Sequence, residues 1–543
     1  HTCVFVLQFK YNGKHYPIPH PTQYKDVWDQ DHVRMPCSHM NEYPVKDKDG
    51  KSVVKRRWAI IEQALKGNIP GPFELEEVSR DERIHFFDVT LKKIVNLALM
   101  LPHLITQPIP LLKKNRNQSL SLSQQQIASL LANAFFCTFP RRNAKQRSSE
   151  FSNYPTINFN SLYEGYPVQK KLEKLKCLIH YFRRVTTNMP KGTVTFERQC
   201  VPNDKFPDWK NLDTKLTKLH VSAEGTIEDD GEGMLQVDFA NKILGGGVLG
   251  QGCVQEEIRF LICPEMLVTR LFTECLEKNE SLIMYGCERF SKYDGYAQTF
   301  KWDGNFDDKT LRDEWGRLCT DVVAIDALVI REFGRQFKMD QIRRELNKAY
   351  CGFLSHGMKA ENLSAVCTGN WGCGAFGGDK RLKALIQLIA ASYAKRDVCY
   401  LTFDDKTLRD ELAEVHQYLT KTNPLGIGNI LTLIQQYEKN VVSRKPKKSK
   451  YSVNLYQYIP RVFDGTLEMT DSEPDTPTWD DSDSNETRYM LAAQDSVEAE
   501  NTADDTKNEV KKNDGNKTTE RPKSGEKPAV QRQESKDYKA DTP

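Results

Sequence analysis

The sequence predicts an α/β protein with a mainly helical region before the sheet and a disordered tail after it. Three observations predict this: helical apolar periodicity in residues 50–190, short apolar runs alternating with helical patterns from about residue 193, and a C-terminal stretch with few large apolar side chains. At 543 residues, the chain is longer than one typical hydrophobic core supports. We predict a helical accessory region over 1–190, an α/β domain over 191–440, a basic linker over 441–465 and a disordered acidic tail over 466–543.

The helical region contains a well-marked helix start. Ser123 and Gln126 have the spacing of a capping box, in which each side chain binds the backbone N–H of the other residue. The pattern predicts an amphipathic helix whose apolar stripe is Ile127, Leu130, Leu131 and Ala134, and a second helix with Leu172, Leu175, Leu178, Ile179 and Phe182.

The α/β domain is predicted from strand-like runs bounded by turn residues. Helix-like segments at Met339 to Phe353 and Lys380 to Lys395 alternate with these runs, as expected for a largely parallel sheet. Ligands of such sheets bind at the carboxyl ends of the strands. The predicted strands are Thr193 to Phe196, Leu216 to Val221, Leu235 to Ala240, Leu282 to Tyr285, Val322 to Val329, Ser364 to Cys367 and Val398 to Phe403.

Two glycine-rich segments follow predicted strands. The first glycine loop (Gly245 to Val254) and the second glycine loop (Asn370 to Gly378) both match the G-x-G-x-x-G fingerprint, and glycine lets backbone N–H groups approach an anion. Tight turns without a ligand are the alternative. A nicotinamide dehydrogenase is a further alternative, with Asp404 or Asp405 positioned to hold a ribose.

A pair of carboxylates, Glu256 and Glu257, directly follows the first glycine loop. Neighbouring side chains on a helix point in different directions, so we expect different roles for the two. One carboxyl group would protonate a leaving oxygen, and the other would orient sugar hydroxyls. A solvent-facing acidic pair at a helix start is the alternative. Together with an anion site, the pair suggests hydrolysis at a phosphorylated sugar.

Charge and composition indicate the compartment and partners. The net charge is +3, but residues 466–543 carry 20 acidic and 11 basic residues, so the preceding part is basic and suited to a polyanionic partner. The fourteen cysteines include no Cys-x-x-Cys pair and are interpreted as reduced thiols. No apolar run reaches the roughly 20 residues of a membrane helix. We expect a protein of the nucleus or cytoplasm, with Arg444 to Lys450 as a possible import signal.

Several segments resemble poly(ADP-ribose) glycohydrolases of the animal type. The specific signature is three glycines followed, after the seven residues Val248 to Val254, by Gln255-Glu256-Glu257. The resemblance runs from about His32 to Phe403. Within this range, the segments that carry the resemblance include Val237 to Asn241, Val254 to Phe260 and Gly369 to Gly378.

The resemblance implies a macrodomain-like mixed sheet flanked by helices, preceded by a helical accessory domain. It implies that Glu257 acts as catalytic acid and then base, that Glu256 holds ribose hydroxyls, and that Asp238, counted with the catalytic residues, orients the Gln-Glu-Glu loop and contacts ribose. The substrate-binding residues implied by the resemblance are Ile227 and Glu228 at the adenine, Asn241, Gly245, Gly246, Gly247 and Gln255 near the ribose, Tyr296 and Phe403 against the nucleotide, and Asn370, Trp371, Gly372, Cys373, Gly374 and Ala375 around the diphosphate.

The function implied is hydrolysis of ribose–ribose bonds in poly(ADP-ribose), with release of ADP-ribose. A carboxylic acid is the expected proton donor for such a bond, and no cofactor or metal is required. The expected partner is poly(ADP-ribose) on modified proteins, within the response to DNA damage, without sequence-specific nucleic-acid binding or membrane attachment. A non-catalytic ADP-ribose-binding macrodomain is the main alternative, although such a reader has no need for the acid pair.

Overall fold

A mixed sheet forms the centre of the fold. The computed structural model describes residues 2–3, 5–6, 13–67, 85–142, 149–164, 169–354, 360–443 and 453–465. The strands in these residues are β1 (Thr2–Cys3), β2 (Phe5–Val6), β3 (Ile18–Pro19), β4 (Glu42–Lys46), β5 (Ser52–Arg56), β6 (Gln118–Ser123), β7 (Thr193–Cys200), β8 (Leu219–Ser222), β9 (Leu235–Asp238), β10 (Glu280–Tyr285), β11 (Ser291–Asp294), β12 (Lys301–Asn305), β13 (Asp321–Ala324), β14 (Val366–Gly369) and β15 (Val398–Leu401).

Nine of the described strands form one sheet in the order β1-β6-β7-β10-β13-β9-β14-β15-β8. The five strands β13, β9, β14, β15 and β8 are mutually parallel, whereas β10 runs antiparallel to both β13 and β7, and β6 runs antiparallel to β7. The carboxyl ends of the five parallel strands therefore meet at one edge, where ligands of α/β sheets bind.

Helices cover this sheet. The α-helices in the described residues are α1 (Arg57–Lys66), α2 (Leu91–Leu99), α3 (Leu101–Leu104), α4 (Gln124–Phe135), α5 (Asn160–Tyr163), α6 (Gln169–Thr187), α7 (Ile227–Asp230), α8 (Gln255–Ile262), α9 (Thr269–Phe272), α10 (Met339–Phe353), α11 (Lys380–Tyr393), α12 (Lys406–Gln417), α13 (Ile427–Tyr437) and α14 (Leu455–Asp464). Short π-helical turns lie at Phe86–Thr90, Tyr418–Thr422 and Glu438–Val442, and 3-10 turns at Asn203–Lys205, Trp209–Asn211, Pro264–Val268, Ala297–Thr299, Phe333–Phe337 and Ala360–Asn362.

Alternating side chains of the sheet enter two separate hydrophobic cores. Leu282 and Met284 of β10 pack in one core, whereas Ile283 between them packs in the other, because successive strand residues point to opposite faces. The first core also contains the apolar stripes of α2, α4 and α6 and residues of α8. The helical N-terminal region thus covers one face of the sheet, and α10, α11 and α13 cover the other.

The sequence predicts most of these elements correctly. Each predicted strand overlaps an observed one, α10 has the predicted bounds, and α11 ends at Tyr393, two residues before the predicted Lys395. The capping box is confirmed: Gln126 N–H donates to Ser123 Oγ at 3.1 Å, and Ser123 N–H donates to Gln126 Oε1 at 2.9 Å. Two strands of the large sheet, β1 and β6, lie unpredicted in the mainly helical region, although Leu120 and Leu122 of β6 alternate with polar residues.

The C-terminal predictions are only partly within the described residues. The basic run Arg444 to Lys450 and the tail 466–543 lie outside them, and the predicted domain boundaries stay predictions. Within the predicted linker 441–465, the structure contains α14, because Leu455 and Ile459 have an apolar core to pack against. The thirteen described cysteine side chains are free thiols, and none of the described helices is long and apolar enough to cross a membrane.

Replacing Ser123 with Ala should lower the free energy of unfolding by about 1 kcal/mol, because the first turn of α4 loses the acceptor for Gln126 N–H. Urea denaturation measures this change. Ser161→Ala is the control, since the Ser161 side chain is exposed, and it should change the free energy little. Equal effects of the two substitutions would contradict a stabilising role for the cap.

Candidate active site

The two carboxylates at the start of α8 are bound by the first glycine loop. Glu256 accepts hydrogen bonds from Gly245 N–H at 2.6 Å and from Asn241 N–H at 2.9 Å. Glu257 accepts from Gly247 N–H and from Val254 N–H, both at 2.9 Å. The side chains are only 3% and 4% exposed, so they are not a solvent-facing pair. As expected for neighbours on a helix, they bind different segments of the chain.

Glycine is required in this loop because of these close contacts. A Cβ atom at residue 246 would lie 2.4 Å from Glu257 Oε1, and one at Gly247 would lie 2.8 Å from the amide nitrogen of Gly252. The N–H groups of Gly250 and Gly252 donate to the Gly247 carbonyl, and that of Gly246 donates to the Ile243 carbonyl just before the loop. The N–H groups of Gly245 and Gly247 are therefore occupied by the side chains of Glu256 and Glu257.

Asp238, at the end of β9, is buried beside this pair. It has no exposed surface, and neither of its carboxylate oxygens has a hydrogen-bond partner among the described residues. Burial raises the pKa of Asp238, Arg259 opposes this increase, and the charge of Glu257 adds to it. Burial, followed by the charges of Asp238 and Glu257, raises the pKa of Glu256 well above its ordinary value. Burial thus favours the protonated forms of Asp238, whose pKa is raised to about 8, and of Glu256.

Gln255 and Asn241 brace the same turn. The Gln255 side chain accepts from Phe239 N–H at 2.8 Å and donates to the Val237 carbonyl at 3.1 Å, which fixes α8 to the end of β9. Asn241 Oδ1 accepts from Ile243 N–H at 2.9 Å. Both predicted substrate-binding side chains thus already hold the local backbone.

Tyr296 and Phe403 are brought together from distant parts of the chain. Their ring centroids are 5.2 Å apart, and the side chains are 37% and 61% exposed. Phe403 has a φ of 56° and Asp404 one of 60°, so two consecutive residues adopt the left-handed conformation after β15. The hydroxyl of Tyr296 accepts from Gln255 N–H at 3.2 Å, which connects this pair to α8. These rings form an exposed aromatic surface instead of entering the core.

Ile227 and Glu228 begin α7, after β8. Ile227 packs in a small apolar cluster with Cys367, Cys399 and Leu401 at the same sheet edge. The Glu228 carboxylate is half-buried and accepts a short hydrogen bond from the Tyr293 hydroxyl. The carboxylate is therefore fixed in orientation.

The second glycine loop follows β14. Asn370 Nδ2 donates to the Thr402 carbonyl at 3.0 Å, and a Cβ atom at Gly372 would lie 2.5 Å from Ala327 Cβ. The Trp371 indole is fully buried and donates to the Ile325 carbonyl at 2.9 Å. Cys373 and Ala375 are half-buried and Gly374 is exposed. Among the described residues, the N–H groups of Gly374 and Ala375 have no acceptor.

Buried cations complete the site, and the sequence did not single them out. Arg270 of α9 donates to the Leu244 carbonyl at 2.5 Å and to the Gly246 carbonyl at 3.3 Å. Lys174 of α6 donates to further carbonyl groups of the first glycine loop. A charged residue in an otherwise apolar helix face is the sequence signal that indicates a buried cation. The signal does not show which group the cation contacts. No group of three or more His, Cys, Asp or Glu side chains in the described part of the chain could hold a metal ion.

Two family models match the chain. Residues 206–410 match the model described as poly(ADP-ribose) glycohydrolase, Macro domain fold, and residues 78–198 match the model described as the helical domain of the same family. The sheet with its carboxyl-edge site and the preceding helical layer thus correspond to a macrodomain and its helical companion.

Curated relatives support the same assignment. Poly(ADP-ribose) glycohydrolase 1 of Arabidopsis thaliana is 34% identical over 67% of this chain and 80% of its own length. Probable poly(ADP-ribose) glycohydrolase 2 of the same plant is 32% identical over 69% and 82%. Poly(ADP-ribose) glycohydrolase 1 of Caenorhabditis elegans is 35% identical over 58% and 40%. The chain belongs to the poly(ADP-ribose) glycohydrolase family. The closer resemblance to the animal type stays a prediction, because the plant and nematode relatives match at similar identity.

Replacing Asp238 with Asn should change how stability depends on pH. Because the pKa of Asp238 is raised to about 8 in the folded protein, the folded state binds more protons than the unfolded state from about pH 4 upward. The contribution of this group to stability is therefore present at low pH and is lost as the pH rises to about 8. The free energy of unfolding of Asp238→Asn, relative to the original protein, should rise by up to about 1.4 kcal/mol per pH unit in that window.

Urea denaturation between pH 5 and pH 8 measures this difference. Asp410→Asn is the control, because the Asp410 carboxylate lies on the surface beside Arg409 and should leave the pH dependence almost unchanged. Parallel curves for Asp238→Asn and the original protein would show that Asp238 does not hold a proton in the folded state.

Proposed function

We propose that this protein hydrolyses the ribose–ribose O-glycosidic bonds of poly(ADP-ribose) and releases ADP-ribose by acid/base catalysis. The observation that carries the proposal is the placement of Glu257, in a chain of this family, on the first turn of α8 and against the first glycine loop. A buried carboxyl group at the carboxyl edge of the sheet can reach a ligand there without competition from bulk water.

The proposed reaction uses Glu257 twice. Its carboxyl proton passes to the leaving ribose oxygen as the glycosidic bond breaks, which leaves positive charge at the anomeric carbon. The resulting carboxylate then accepts a proton from the attacking water, whose hydroxyl oxygen bonds to that carbon. Each carboxylate oxygen accepts only one N–H group from the loop and retains a second lone pair for this transfer. Glu256, anchored on Gly245, is proposed to hold the ribose hydroxyls.

The remaining site residues are proposed to bind the nucleotide. The N–H groups of Gly374 and Ala375 are suited to the diphosphate, because the loop precedes the N-terminus of α11. Tyr296 and Phe403 are proposed to stack against the base, and Ile227 and Glu228 to contact the adenine. The nuclear or cytoplasmic location and a part in the response to DNA damage stay predictions.

The test of the proposed function is incubation of the full chain with purified poly(ADP-ribose). Free ADP-ribose should appear, and Glu257→Gln should reduce its release by about 10²- to 10⁴-fold, because the amide cannot donate or accept the transferred proton as a carboxyl group does. Chromatography of the products and a gel of labelled polymer measure release, and calorimetry measures ADP-ribose binding, which should be retained.

Glu414→Gln is the control, because the same chemical change then occurs at an exposed position outside the site. Polymer that binds but keeps its full length with the original protein would identify a reader instead of a hydrolase. Normal release by Glu257→Gln would remove Glu257 from the proposed mechanism.

Phe403→Ala should weaken ADP-ribose binding by about 1–3 kcal/mol, or roughly 5- to 150-fold, because stacking against a base contributes that much. Calorimetry with ADP-ribose gives the dissociation constant. Trp315→Ala is the control, since Trp315 is an exposed aromatic residue that is not among the proposed site residues. An unchanged constant for Phe403→Ala would mean that the exposed ring pair does not bind the base.

A further inference from the structure

A buried ammonium group from the helical region contacts the first glycine loop. Lys174 lies on α6 and has no exposed surface. Its Nζ donates to the carbonyl groups of Val248 at 3.1 Å, Gly250 at 2.9 Å and Gly247 at 3.4 Å, and forms a short contact with the carbonyl of Gly252. Lys174 forms no ion pair with a carboxylate of the described residues. Main-chain carbonyl groups alone therefore replace the water around this charge.

These contacts determine which way the loop peptides face. A trans peptide holds its C=O and N–H groups in opposite directions, so peptides whose carbonyl groups converge on Lys174 direct their N–H groups away from it. The N–H groups of Gly250 and Gly252 in turn donate to the Gly247 carbonyl, which closes the loop on itself. The ammonium group thus stabilises one conformation of a segment in which five of ten residues are glycines, which have no side chain to restrain the backbone.

The same loop binds both oxygens of Glu257. Gly247 N–H donates to Oε1 and Val254 N–H donates to Oε2, so the carboxyl group is bound near both ends of the segment that Lys174 holds. A Cβ atom at Gly252 would lie 2.7 Å from Glu257 Oε1, which shows how closely the loop packs against this oxygen. A change in loop conformation would therefore displace the carboxyl group.

We propose that Lys174 is a positioning residue of the reaction, whose ammonium group holds the first glycine loop and thereby the carboxyl group of Glu257. This inference rests on the proposed function. It also assigns the helical region a direct part in the site, since α6 supplies this group from outside the α/β domain. The neighbouring turn of α6 adds a weaker contact, from Lys170 Nζ to the Gln251 carbonyl at 3.2 Å.

The chain offers a matched control on the same helix. Lys171 is also buried, but its Nζ donates to the carbonyl groups of Ser161 at 2.9 Å and Glu164 at 2.5 Å, away from the glycine loop. Lys171→Met and Lys174→Met remove the same buried charge and retain a similar apolar stem. Only Lys174→Met removes the hydrogen bonds that hold the first glycine loop.

Lys174→Met should lower kcat on purified poly(ADP-ribose) by about 100-fold or more, because a displacement of about 1 Å at a catalytic group has an effect of that size. The dissociation constant for ADP-ribose should change by less than about threefold, since the proposed contacts to the base and diphosphate lie elsewhere. Lys171→Met should keep kcat within about threefold of the original protein. The kcat of Lys174→Gln, which retains two N–H donors, should lie between those of Lys174→Met and Lys171→Met.

A second measurement does not depend on turnover. Hydrogen exchange of peptides that cover residues 245–254 should be faster in Lys174→Met than in the original protein and unchanged in Lys171→Met. Equal kcat or equal loop exchange for the two Met variants would overturn the positioning role, as would a loss of ADP-ribose affinity as large as the loss of kcat. Failure of the original protein to release ADP-ribose would instead contradict the proposed function, and the exchange result would still report on the loop.

Discussion

Hydrogen bonds from the main chain of the first glycine loop to Glu256 and Glu257 are the constraint on which the site depends. They require glycine where the carboxylates approach the backbone, since a Cβ atom at residue 246 would overlap Glu257 Oε1. They also satisfy N–H groups that would otherwise be buried without a partner, including that of Val254 at the start of α8. The glycines and the two acids therefore form one structural unit. The loop holds the side chains at the start of the helix, and these side chains leave room only for glycine in the loop.

Burial of this unit disfavours the charged forms of its carboxyl groups. Asp238, Glu256 and Glu257 lie together away from water, which raises the pKa of the first two. Arg270 donates to the carbonyl groups of Leu244 and Gly246, and Lys174 donates to carbonyl groups of the first glycine loop. Among the described residues, neither cation forms an ion pair with the acids. Backbone N–H groups of the loop therefore hold the side chains of Glu256 and Glu257 in place.

The parallel part of the sheet explains why residues far apart in sequence share one edge. The segments after β8, β9, β14 and β15 all begin at carboxyl ends of adjacent strands. The left-handed turn after β15 then exposes Phe403 beside Tyr296, while the helical layer supplies Lys174 to the first glycine loop. A helical region and a sheet that share one core are consequently also connected at the site.

From the sequence alone, the elements with clear periodicity could be predicted, such as α4 with its Ser123 cap and α10, and the Glu256–Glu257 pair beside the first glycine loop could be singled out, whereas Asp238 was indicated only by the family resemblance. These features depend on residues a few positions apart, whose spacing is fixed by helix and strand geometry. The tertiary structure was needed to show that the glycine N–H groups bind the acids and that Trp371 is buried. It was also needed to show that β6 joins the sheet and that Lys174 contacts a loop 73 to 78 residues away. Periodicity shows which face of an element is buried, but it carries no information about the partner that covers that face.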